Sequence, residues 1–157
     1  CYSLPYLVFR FSNVYGRYDN DIDRMERVIP LFIKRIGLDE PITIFGPEKV
    51  LDFTYVDDCV NGITLGINAL VTGKVTNQTI NLAFGQGNSL VRMAELVGKA
   101  LGKTPQITMA PTQIGEVTRY VADISRASEL LGYRPKMTLE EGISRCVKWN
   151  REWQLRK

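Results

Sequence analysis

Apolar and polar residues alternate along this chain in short blocks whose period changes. Leu4 to Phe11 reads LPYLVFRF, aromatic and β-branched, which predicts a buried strand. The polar stretch SNVYGRYDND that follows predicts a loop. From Asp23 onward, Met25, Val28, Ile29, Phe32, Ile33 and Ile36 recur at helical spacing, with Asp23 as N-cap and Gly37 at the C-terminal end. Pro30 interrupts the pattern, so it either kinks this helix or marks its true first turn. PITIFG (Pro41 to Gly46) and LDFTYV (Leu51 to Val56) predict short strands, and a helix starts after them with Asp57 or Asp58 as its N-cap. QTINLAF is a further strand-like run. Ser89 caps a helix that Gly102 ends, QITMA is another short strand, and Ser125 caps SRASELLG. Thr138 and Glu141 have the spacing of a capping box for the last helix. Short strands interleaved with helices predict an α/β domain.

Composition narrows the function classes. At 157 residues the chain can bury one substantial core, and 45% apolar with 24% charged residues is the balance of a globular domain. Twenty basic and 17 acidic side chains give a net charge of +3 with no basic block, so no nucleic-acid partner is expected. No apolar run approaches the roughly 18 residues of a membrane span. The opening CYSLPYLVFRF lacks a charged lead and a small-residue cleavage site, so no signal peptide is expected. Three widely separated cysteines, Cys1, Cys59 and Cys146, argue for reduced thiols in a cytoplasmic setting. Without histidine or a close cysteine pair, a zinc site and every Ser–His or Cys–His arrangement drop out. The chain opens at Cys1 and runs straight into a buried strand. Such a strand needs neighbours, so the expectation is a piece of a longer protein.

The stretch TINLAFGQGNSLVRMAEL (Thr79 to Leu96) imitates a phosphate loop, an apolar strand entering Gly-x-Gly and leaving as a helix. A dinucleotide fingerprint needs a third glycine, where Leu90 stands, and an acidic residue about 20 positions on, where Thr104 to Thr108 hold none. The better reading is a strand-to-helix corner in which glycine supplies positive φ and Ser89 the cap.

Five ordered blocks carry a more specific signal. LPYLVFRFSNVYGR (4–17), RVIPLFI (27–33), ITIFGPEKVLDFTYVDDCVNGI (42–63), INLAFGQGNSLVRMAELV (80–97) and GEVTRYVADISRASELLGYRPKMTLEEGI (115–143) resemble the NAD-dependent epimerase/dehydratase family. These are extended short-chain dehydrogenases, similar to UDP-glucose 4-epimerase, that act on nucleotide sugars. The resemblance implies the C-terminal half of such an enzyme. Residues 1–22 would end the NAD-binding domain with the last strand of its Rossmann-type sheet. Residues 23–157 would form a small mixed α/β substrate-binding domain. The family's glycine-rich NAD loop and Tyr-x-x-x-Lys pair would lie upstream of Cys1. None of the seven tyrosines here has a lysine four residues on, so this chain alone is expected to be inactive.

The resemblance also assigns roles by position. Phe11 and Ser12 would face the nicotinamide of NAD. Asn13 would hydrogen-bond the substrate's diphosphate, which a carboxamide can do without adding charge. Arg27 and Val28 would lie over the nucleotide, and Phe45 near the nucleoside. Leu51 and Gln113 stand where family members commonly carry diphosphate-clamping arginines, and neither can copy a bidentate guanidinium. Arg17, Arg27 or Arg119 would have to substitute. Asp57 and Asp58 in YVDD read as structural carboxylates at a helix start rather than a metal site. The implied partner is a nucleotide-diphosphate sugar, and a homodimer of the full-length protein is compatible with the resemblance. The implied chemistry is transient oxidation of the sugar followed by epimerisation. Dehydration or decarboxylation within the same family, or nucleotide binding without chemistry, are the alternatives.

Overall fold

The computed structural model describes residues 3–19 and 27–154. Among them run, in chain order, β1 (Leu7–Phe11), β2 (Val14–Tyr15), α1 (Val28–Gly37), β3 (Ile42–Phe45), β4 (Val50–Asp52), β5 (Thr54–Tyr55) and α2 (Val56–Val71). The second half holds β6 (Gln78–Leu82), β7 (Gly87–Ser89), α3 (Leu90–Leu101), β8 (Ile107–Ala110), β9 (Arg119–Tyr120), α4 (Ser125–Leu131) and α5 (Leu139–Gln154). The α/β class holds. Parallel pairs join β1 to β6, β2 to β5 and β3 to β8, and β4 lies between β7 (antiparallel) and β9 (parallel).

Two apolar cores organise these elements. The larger gathers Ile29, Phe32, Ile33 and Ile36 of α1 against Met93 and Val97 of α3 and Ile143 and Val147 of α5. The α1 residues recur three and four apart, so one face of the helix is apolar and that face is buried. The smaller core lies between α2, α4 and the β1–β6 pair, and holds Ile80, Leu82, Ala127, Leu131 and Tyr133 with Leu7 and Phe9 packed against it. Strand β1 is therefore half-buried, not fully buried as its sequence predicts. Its pleat turns Leu7 and Phe9 inward and Val8 outward, 45% exposed, while Phe11 shares the inward face but stays 48% exposed at the strand's end. The expected boundary between residues 22 and 23 falls outside the described residues.

Several local expectations change. Helix α1 begins at Val28 with Arg27 as N-cap, so Pro30 occupies its first turn, where a missing N–H loses no helical bond. Asp23 and Met25 lie outside the described residues. The run Leu51–Val56 splits at Phe53 into β4 and β5, because Val56 already opens α2. Tyr55 holds the N-cap place of α2. Asp58 instead accepts from the backbone N–H groups of Lys136 (3.0 Å) and Met137 (2.8 Å), tying the α4–α5 connection to α2. Ser125 is the first residue of α4, and its N–H donates to Asp123 Oδ1 at 2.8 Å. Strand β7 escapes sequence reading because Gly-Asn-Ser has no apolar alternation. The caps at Ser89 (accepting from Arg92 N at 3.1 Å) and Gly102 form as predicted, and Gly132 ends α4 in the left-handed conformation. Thr138 makes one arm of its capping box, accepting from Glu141 N at 3.3 Å, while the Glu141 carboxylate turns to Arg145.

The glycine corner uses its two glycines differently. Gly85 has φ +82°, in the left-handed region. A Cβ on Gly87 would sit 2.3 Å from Val50 Cγ1 and 2.8 Å from Val121 Cγ2, so that position is empty to let β7 approach β4.

Candidate functional site

At the end of β1 the backbone turns sharply. Asn13 takes φ +31°, a region that asparagine enters more readily than most residues. Two side chains fasten this turn to β4. Ser12, 2% exposed, donates from Oγ to the Asp52 carbonyl at 2.7 Å, and Asn13 Nδ2 donates to the same oxygen at 2.8 Å. Beyond the turn, β2 pairs with β5, so the polar segment is held at both ends.

A cleft of about 490 Å³ opens over this turn. Phe11 and Asn13 line one side, and Arg27, Val28 and Ile29 at the start of α1 line another. Helix α1 has no side-chain N-cap bond and no acidic residue in its first turn. Its early N–H groups thus bring the positive end of the helix dipole to the cleft wall. Arg27 is half-exposed. It donates from Nη1 to the Val14 carbonyl at 3.3 Å, and its Nε lies 3.4 Å from Asp19 Oδ1. Burial pushes the Asp19 carboxyl above its usual range and Arg27 pulls it back. One cation, one carboxylate, a carboxamide and an aromatic ring therefore share one concave space.

The structure unites Phe11, Asn13, Arg27 and Val28 around this cleft, with Ser12 beneath its floor. Phe45, Leu51 and Gln113 are not among its lining residues. Phe45 is 41% exposed at the end of β3. Leu51 sits in β4 opposite Asn88 and Tyr120 and packs on the larger core. Gln113 is exposed on the loop after β8, its N–H donating to Glu116 Oε2 at 3.0 Å. The same Glu116 oxygen takes Lys49 Nζ at 2.6 Å, and Lys49 is only 5% exposed. Of the alternative cations, Arg17 pairs with Asp57 at 3.1 Å.

Sequence reasoning missed two members of this region. Asp52 is fully buried between Leu51 and Phe53, and a carboxylate inside an apolar run is itself a signal of a hydrogen-bonded interior group. Lys49 gives no such signal. Asp19, ion-paired with Arg27, is the carboxylate in the cleft. Tyr15 lines it, but burial holds its hydroxyl far into the protonated form, and that oxygen has no hydrogen-bond partner. The thiols are structural: both Cys59 and Cys146 are buried and free, with burial raising the first and pushing the second up to about 12. No group of described residues could hold a metal ion, and no described helix is long and apolar enough to cross a membrane.

Comparison with known proteins gives a consistent answer. The NAD dependent epimerase/dehydratase family matches residues 1–83. UDP-glucuronate 4-epimerase of Thermodesulfobacterium geofontis is 33% identical over 96% of this chain and 45% of its own length. dTDP-glucose 4,6-dehydratase of Salmonella typhimurium is 29% identical over 97% of this chain and 43% of its own. Among solved structures, UDP-glucose 4-epimerase of Thermotoga maritima with UDP-glucose superposes with a TM-score of 0.87 at 32% identity, covering 98% of this chain and 48% of that one. The chain thus spans about half the length of the curated relatives it matches.

Proposed function

This chain belongs to the NAD dependent epimerase/dehydratase family, and from that premise we propose that it is the substrate-binding portion of a nucleotide-sugar epimerase similar to the UDP-glucose 4-epimerases. One observation carries the reading: Phe11, Asn13, Arg27 and Val28, separated in sequence, border a single cleft of about 490 Å³. That volume suits a small-molecule ligand. Its wall joins a neutral donor, a guanidinium and an uncapped helix start, the groups that accept a diphosphate. Leu51 and Gln113 contribute no charge, so Arg27 and the start of α1 supply the positive potential.

The fit to a nicotinamide cofactor is partial within this chain. The half-exposed Phe11 ring offers a flat apolar wall. The Ser12 hydroxyl is committed to the Asp52 carbonyl, so Ser12 serves by fixing the turn that presents Phe11. NAD, when bound, supplies reversible hydride transfer. The chain's own contribution is to bind and orient the sugar nucleotide, through the Asn13 carboxamide and the Arg27 guanidinium. Because none of the seven tyrosines has a lysine four residues on, the group that moves the sugar's proton in this reading lies outside this chain, which alone has no turnover. In this reading the working enzyme is a cytoplasmic homodimer of the longer protein.

Titration calorimetry of the full-length protein with UDP-, dTDP-, GDP- and CDP-sugars tests the proposal. Binding of at least one is expected, weakened about ten-fold by Asn13→Ala and again by Arg27→Ala, the equivalent of one hydrogen bond each. Binding of none would overturn the proposal, and binding with no conversion of any bound sugar would support a nucleotide-binding module without chemistry. Steady turnover by the isolated chain would overturn the partial-enzyme reading. The similarity to a dehydratase favours dehydration as the second outcome, and identification of the product separates the two.

A further inference from the structure

Asp52 stands where β1, β4, the β6–β7 corner and the segment before α4 meet. Its side chain is fully buried. Oδ1 accepts from the N–H of Phe84 at 3.2 Å, and Oδ2 accepts from Gly85 at 3.0 Å and Ala122 at 3.2 Å. Its main-chain carbonyl accepts from Ser12 Oγ at 2.7 Å and from Asn13 Nδ2 at 2.8 Å. Five donors from three segments converge on this one residue, and one of them, Asn13, lines the cleft.

The two halves of the residue do different jobs. A carboxylate in the interior is tolerated only where hydrogen bonds replace its water, and here three backbone amides do so. These amides belong to two other segments, so the carboxylate cannot shift without leaving N–H groups unpaired. Pinning the side chain pins the end of β4, and with it the carbonyl that holds the β1 turn. Asn13 depends on that hold, because a non-glycine residue at φ +31° persists only where its surroundings impose the conformation. The bond to Asp52 uses one of its two amide hydrogens and leaves the other for a ligand.

We propose that Asp52 is a positioning residue for the cleft: its carboxylate locks the end of β4 so that its carbonyl aims the Asn13 carboxamide at the ligand. This rests on the reading of the cleft as a nucleotide-sugar site.

A double-mutant cycle on the full-length protein tests it, using whichever of UDP, dTDP, GDP and CDP binds. Asp52→Asn keeps the shape but turns an –NH2 toward one of the three amides. It weakens nucleotide binding about ten-fold, as the loss of one aimed hydrogen bond does. In an Asn13→Ala background the same change shifts affinity less than about two-fold, because it acts through Asn13. Losses that multiply instead would make Asp52 merely structural and overturn the proposal. If Asp52→Asn does not fold, the wild-type Asn13 side-chain amide decides by hydrogen exchange. One proton protected before ligand is added, and the other shifted on binding, supports the lock; two freely exchanging protons overturn it. Failure of the wild type to bind any of the four nucleotides overturns this proposal together with the function, whereas binding with multiplicative losses overturns this proposal alone.

Discussion

Two buried charges lie three residues apart, and they are held in opposite ways. Asp52 is fully buried and bound by three backbone amides from other segments. Lys49 is almost as buried, but its described ion-pair partner is the Glu116 side chain, which is 40% exposed. The amides around Asp52 have nowhere to turn if the carboxylate leaves. Glu116 can turn to water. The contrast separates a fixed node, which sets the geometry of the cleft floor, from a clasp that fastens the loop carrying Gln113. The titration shifts follow the same division. Burial pushes the Asp52 carboxyl up, with the Ala122, Gly85 and Phe84 amides opposing it. The Lys49 hydrogen bond, followed by the Gln113 amide, holds Glu116 below its usual range.

The largest effect is expected at the node. Asp52→Ala leaves one buried and two part-buried amides without an acceptor, and at roughly 1–3 kcal/mol for each orphaned group the loss is on the order of 3–5 kcal/mol after partial rescue by water. Urea denaturation measures it directly. A loss below 1 kcal/mol would erase the distinction between node and clasp. A second strain on the same neighbourhood sharpens it. Gly87→Ala places a Cβ 2.3 Å from Val50 Cγ1 and 2.8 Å from Val121 Cγ2, next to the strand that ends in Asp52. Overpacking of this kind costs about 1–3 kcal/mol. If the node is rigid, β4 cannot yield and the cost falls at the upper end of that range.

What was legible in the sequence follows from range. Helices α1, α3 and α5 announce themselves because burial of one face repeats every three to four residues, and caps such as Ser89 and Gly102 act on their own neighbours. Strands β7 and β9 are too short to show a period and exist because β4 lies between them. The site divides similarly. Phe11, Asn13, Arg27 and Val28 were placed by family resemblance, and the cleft brings them together. The node was legible only in part: a carboxylate inside an apolar run signals a bonded interior group, but the bonds that define Asp52 reach 32 to 70 residues along the chain and no local pattern names their partners.

The smallest effects are expected at the clasp. Lys49→Met keeps the apolar stem in place and removes a charge whose partner is already half in water. The melting temperature therefore moves by no more than about 2–4 °C, the shift that a small perturbation gives a chain of this size. The pH response is more diagnostic than the stability. Because Glu116 has a depressed pKa in the folded state, its contribution is present above its ordinary value and lost as pH falls through the lower folded value. The protection factor of the Gln113 amide, whose N–H donates to Glu116, should therefore fall on acidification through that window, once the slower intrinsic exchange in acid is divided out. Glu116→Gln abolishes the step, since a carboxamide keeps an acceptor oxygen but cannot titrate. Asp52 has the opposite sign: its raised pKa favours the folded state as the carboxyl takes up its proton, so acid should loosen the loop at Gln113 while the turn at Asn13 stays protected. Simultaneous loss of protection at both amides would mean that the two charges belong to one cooperative unit rather than to a node and a clasp.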